Sequence, residues 1–299
     1  MRIGIAALLL LFCGPALGQT PVPPSNNQVE TVHSTAPLTR EELIEQSHRF
    51  VQSIMPSSYR LEGQFTKWKE PVCPRVLGLT PAAAYLVERR IREVAQQAGA
   101  QIDRRDPCPP NVRIFVSPEP QATLDELVAY DIRMFEAAPL RELTLRYPVQ
   151  SWYFGYIIDA NGAALWDIDC WLHPLEPACR LETRSYGNRL RTGVQPKLGV
   201  ATILVDAEAI KGKTLGSLGD YLALMALAQT PAKGRCQPAP SIANLFLTNC
   251  EPIFHTTALS EVDLAMLKAL YKAPDEPETL QSIRVIGNMR RILEGGAGK

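Results

Sequence analysis

The chain has 299 residues, 46% of them hydrophobic and 21% charged, with 31 Lys and Arg set against 31 Asp and Glu. That composition excludes disorder over most of its length, and the lack of basic excess excludes nucleic acid or an anionic membrane as a partner held by bulk charge. At about 100–200 residues per domain, the length suits one large domain or two small ones.

Arg2 precedes an apolar run from Ile3 to Phe12, a Gly14–Pro15 break and the small residues Ala16 and Gly18. This is the pattern of a signal peptide, 1–18, cleaved after Gly18. The run is shorter than the roughly 20 residues a membrane span needs, and no later stretch is long enough. Phe12 stands before Cys13 where a lipoprotein site wants a small residue. The expected location is therefore the periplasm or the medium, with no transmembrane segment. Cleavage removes one cysteine and leaves Cys73, Cys108, Cys170, Cys179, Cys236 and Cys250. An even set in an exported chain reads as a disulfide framework. Of the 15 connectivities that six cysteines allow, Cys73–Cys108, Cys170–Cys179 and Cys236–Cys250 are expected, because each pair flanks one local unit. No Cys-x-x-Cys spacing supports zinc.

Residues 19–38, rich in Pro and Asn, read as a flexible leader. Thr39 opens a capping box with Glu42, and Leu43, Ile44, Ser47, Val51 and Ile54 share one face of a helix over 40–55. Tyr59 to Trp68 is strand-like, and Val72 to Leu77 continues it after Pro71. Thr80–Pro81 starts the clearest helix, which Gly99 ends. Asn111 to Val116 alternates as a strand, and 121–136 is an amphipathic helix. Residues 152–158 form an aromatic strand, and Asn161–Gly162 implies a hairpin into Ala163–Trp166. Leu198 to Val205 is a buried strand; helices follow at 217–229, 260–271 and 278–293. The sum is an α+β fold, a mixed sheet with packed helices, as one domain over 39–275 with a C-terminal helix and tail at 276–299.

Trp68 to Gly78, the long helix after it, Ala201–Val205, the 217–229 helix, Pro240–Ser241–Ile242 and Leu259–Ser260–x–x–Asp263 together resemble the landmarks of matrixin-type zincin domains. Over residues 45–285 the chain also resembles a group of uncharacterised exported alphaproteobacterial proteins. That likeness rests on Val72-Cys73-Pro74-Arg75-Val76-x-Gly78, on Asp220-Tyr221-x-Ala223 and on Leu270-Tyr271-x-x-Pro274. The matrixin resemblance implies a zincin-like scaffold with His-Glu-x-x-His on the 217–229 helix, two imidazoles holding zinc and the Glu activating water. Laid over that helix, the motif meets Asp220, Tyr221 and Leu224, and the Met-turn position meets Ala243. The resemblance thus implies the scaffold without its zinc, and no cofactor is expected.

Asp167, Asp169 and His173, beside Cys170 and Cys179, form the best alternative site, with His255 a further candidate. A disulfide-pinned loop with solvated acids is the favoured account of that cluster. Asp206, Asp220 and Asp263 could converge, though Asp220 and Asp263 near helix starts also suit the macrodipole. Tyr221 reads as core packing. No nucleophile elbow, Walker loop or dinucleotide fingerprint is present. The expected function is a non-catalytic exported module on a degenerate zincin-like scaffold that binds a peptide or protein; the alternative is an exported hydrolase using Asp167, Asp169 and His173 or Asp220. Elemental analysis of protein prepared without chelator is expected to find no stoichiometric metal, and thiol titration of the same sample no free cysteine; a stoichiometric metal would redirect attention to the 167–179 loop and His255.

Overall fold

The computed structural model describes residues 39–54, 65–135, 143–159, 194–230, 235–274 and 278–295. Among the described residues, five strands build one mixed sheet: β1 (Lys67–Trp68), β2 (Pro74–Leu77), β3 (Val112–Ser117), β4 (Val149–Asp159) and β5 (Val194–Asp206). The helices are α1 (Arg40–Ile54), α2 (Pro81–Ala98), α3 (Pro120–Tyr130), α4 (Leu215–Ala228), α5 (Glu261–Lys272) and α6 (Glu278–Gly295). All of them lie within one compact unit, Ala36–Lys299.

β5 is the axis of the sheet. One of its edges takes β3 and β1 in parallel, the other takes β4 antiparallel, and β2 extends the sheet beyond β3. β1 and β2 are therefore separate strands on different neighbours, and β2 does not continue β1 as the sequence suggests. Between them Val72 bridges to Ile102, with its N–H on the Gln101 carbonyl at 2.8 Å. The partner of β4 is β5, paired from Val149↔Val205 to Asp159↔Val194. The expected hairpin strand 163–166 lies outside the described residues.

The helix signals at the first two starts act as read: Thr39 and Glu42 bond reciprocally at α1, and Thr80 caps α2 through Ala83 N–H with Pro81 behind it. At α5 the structure adds what the sequence reading did not assign, a reciprocal capping box of Ser260 and Asp263. α3 stops at Tyr130, earlier than the expected 136, because Asp131 turns extended and Ile132–Phe135 forms a separate 3-10 turn. That turn brings Phe135 edge-on to Trp152, with centroids 5.1 Å apart, in a small core under α3 with Leu124 and Leu204. The opposite face carries the main core. It joins β3 (Val112, Ile114, Val116), β5 (Ala201, Ile203, Val205) and α2, α4 and α5 with α1 and α6. Val285, Met289 and Leu293 of α6 are fully buried there, so the last helix belongs to the same core as the 39–275 region.

Two local devices shape the β2 edge. Val76 N–H is held at 2.8 Å by the buried Glu88 carboxylate of α2. Gly78, which follows β2, has φ +89, and a Cβ there would lie 1.9 Å from the Val116 carbonyl oxygen. Cys73–Cys108 closes the base of this unit, and Asn111 accepts from Cys73 N–H at 2.7 Å. Substitution Gly78→Ala combines a left-handed backbone with steric overlap and is expected to cost about 3 kcal/mol or more, read as a lowered midpoint in urea unfolding.

Candidate functional site

α4 carries the three positions that the matrixin resemblance would give to zinc and its water. Every residue of α4 from Ser217 to Ala228 is buried. Burying Leu218, Leu222, Leu224, Met225 and Leu227 contributes on the order of 10 kcal/mol, which outweighs the roughly 1 kcal/mol each that Gly216 and Gly219 cost in a helix. Gly219 is also where α2 comes close: an added Cβ would lie 2.8 Å from Cβ of Arg90. That approach lets Arg90 Nε donate to Asp220 Oδ1 at 2.5 Å. The second oxygen of Asp220 accepts Leu259 N–H at 2.8 Å. The Asp220 bond and charge hold the Arg90 guanidinium firmly protonated. Tyr221 packs edge-on against Phe246 with centroids 4.7 Å apart, burial pushing its hydroxyl pKa up, and Leu224 is wholly enclosed. Asp220 is thus an ion-pair brace between α2, α4 and the approach to α5, rather than a residue placed for the helix dipole.

Asp263 is the second acid of this region and is fully buried. It accepts from Ser241 Oγ (2.5 Å), Ile242 N–H (2.8 Å), Ser260 N–H (3.0 Å) and Ser260 Oγ (2.9 Å). Asp220 and Asp263 therefore converge on consecutive residues, Leu259 and Ser260. Asp206 does not join them, since it caps the next turn through Glu208 N–H at the end of β5. Around Asp263, Asn244 accepts Gln237 N–H and donates to the Phe254 carbonyl, and Cys236–Cys250 closes the same loop. Ser241 bridges to His255 through the backbone. Those three types in one place invite a triad reading, and the geometry declines it: Asp263 holds the buried Ser241 directly, while His255 is exposed. A general base must stand between nucleophile and acid to relay the proton. Sequence reasoning missed Ser241 and Arg90 as partners of these acids.

A groove of about 780 Å³ runs between α1 and α6. Glu41, Ile44, Glu45 and His48 line it from α1 with Ser47; Ile286, Arg290 and Glu294 line it from α6. Arg290 donates to Glu294 at 2.7 Å within its own helix. The groove has the volume of a small-ligand site, with an apolar floor and charged rims.

Asp167, Asp169, His173 and the Cys170–Cys179 pair lie outside the described residues. Among the described residues, no group of three or more His, Cys, Asp or Glu side chains is placed to hold a metal ion. No protein-family model, curated protein or solved structure matches the chain.

Burial raises the pKa of Asp263 above the usual carboxylate range, outweighing the four hydrogen bonds that pull it down. The folded state then holds this proton more tightly than the unfolded chain does, so the stability it contributes is full at low pH and is lost as pH rises through the raised value. Asn cannot titrate. The unfolding free energy of wild type minus that of Asp263→Asn is therefore expected to fall as pH rises from the acid range toward neutrality, by at most about 1.4 kcal/mol per pH unit.

Proposed function

We propose that the chain is a non-catalytic exported protein of the periplasm that works by binding a peptide or another protein, on a zincin-like scaffold whose metal helix has become a core helix. The observation that carries this reading is the state of positions 220, 221 and 224. An acid in an ion pair, an aromatic ring against Phe246 and an enclosed leucine leave nothing there to bind zinc or meet a substrate. A hydrolase using Asp220 would need that carboxylate open to substrate, and its two oxygens are bonded to Arg90 and Leu259. The Cys73–Cys108 and Cys236–Cys250 bonds suit an oxidising compartment. No described helix is long and apolar enough to cross a membrane.

The purified mature chain is expected to turn over peptide, ester and phosphoester substrates no faster than buffer. Asp220→Ala is expected to lower its unfolding free energy by about 2 kcal/mol, from an unpaired, partly buried Leu259 N–H and a lost, partly exposed ion pair. A hydrolytic rate that follows the protein through purification and vanishes in folded Asp220→Ala would overturn the reading.

A further inference from the structure

We propose that the groove between α1 and α6 is the docking site for a basic, amphipathic helical segment of a partner protein, an inference that rests on the binding role above and gives it a place and a ligand chemistry. Glu41, Ile44, Glu45 and His48 fall at i, i+3, i+4 and i+7, one continuous stripe of α1 about 10 Å long. Ile286, Arg290 and Glu294 form the matching stripe of α6, at i, i+4 and i+8. Two such stripes with half-buried Ile44 and Ile286 between them make the seat that an amphipathic helix fits.

Charge selects the occupant. Glu42 is engaged with Thr39, and Arg290 is engaged with Glu294. Glu41 and Glu45 are exposed, stand one turn apart on the rim, and make no hydrogen bond or ion pair with a described residue. The uncompensated charge of the rim is therefore negative, and its complement is a pair of Lys or Arg residues one turn apart, flanked by apolar residues that reach the two isoleucines. The chain's own residues 19–38 contain Glu30 and neither Lys nor Arg, so they lack that complement.

The test titrates the mature protein into a short fluorescent Leu/Lys amphipathic peptide and into its Leu/Glu counterpart, at low and at high salt. The expected result is binding of the Lys peptide about tenfold tighter than the Glu peptide, weakened by salt. The double variant Glu41→Gln, Glu45→Gln, at exposed positions, is expected to keep its melting temperature and lose affinity for the Lys peptide about fivefold. Equal binding of the two peptides, or an undiminished affinity in the double variant, overturns the proposal. A concentration-dependent dimer abolished by the same double variant also overturns it and assigns the groove to a second copy. A partner crosslinked only at surfaces away from α1 and α6 overturns the groove while leaving the binding role in place; hydrolysis lost with Asp220→Ala removes the binding role itself.

Discussion

A helix buried on every side must find partners inside the protein for the backbone groups that its own ladder leaves over, and α4 sets this requirement for the whole fold. Its last turn is met by three aromatic donors from three different elements. Tyr153 of β4 donates to the Met225 carbonyl at 2.8 Å, Trp68 of β1 to Ala226 at 2.8 Å, and Tyr271 of α5 to Leu227 at 3.1 Å. Burial pushes the hydroxyl pKa of both tyrosines up, which keeps them neutral donors. β1 is only two residues long, yet it places the indole that one of these carbonyls needs. The sheet and α5 are thus fixed in relation to α4 by hydrogen bonds as well as by packing.

The other end of α4 is fixed by charge. Thr214 caps it through Ser217 N–H, the Ser217 hydroxyl bonds the Thr257 carbonyl, and Asp220 takes Arg90 and Leu259. Asp263 then holds Ser241 and Ile242 from the neighbouring turn. An interior acid surrounded by donors is costly to leave half-satisfied, so each carboxylate specifies one arrangement of the segments around it. In this region the polar chemistry that could have been a site is spent on architecture.

Much of this was legible where the signal is local. Thr39 with Glu42 and Thr80–Pro81 announce helix starts because their bonds close within a turn, and the alternation of Val112 to Val116 marks a half-buried strand. Cys73–Cys108 and Cys236–Cys250 could be paired because each bracketed one unit. The partners of Asp220 and of the α4 carbonyls were not legible, since Arg90 lies 130 residues from Asp220 and Trp68 lies 158 from Ala226. Asn161–Gly162 pointed to a tight turn after β4, whereas the pairing of β4 with β5 is a long-range choice that a dipeptide signal does not contain. The groove between α1 and α6 was hidden for the same reason: each helix shows its stripe, and only their packing against each other makes a seat.

The Glu88 carboxylate on Val76 N–H bears on how the molecule associates with others. A strand at the margin of a sheet offers unused donors and acceptors as a template, and chains that leave such a margin bare are prone to stack edge to edge. Here an incoming strand would have to evict a buried carboxylate from its donor, leaving it only the longer contact with Arg92 at 3.9 Å, before gaining a bond of its own. Growth of the sheet past β2 is disfavoured from within the monomer, at high concentration as at low, by one side chain of the first crossover helix.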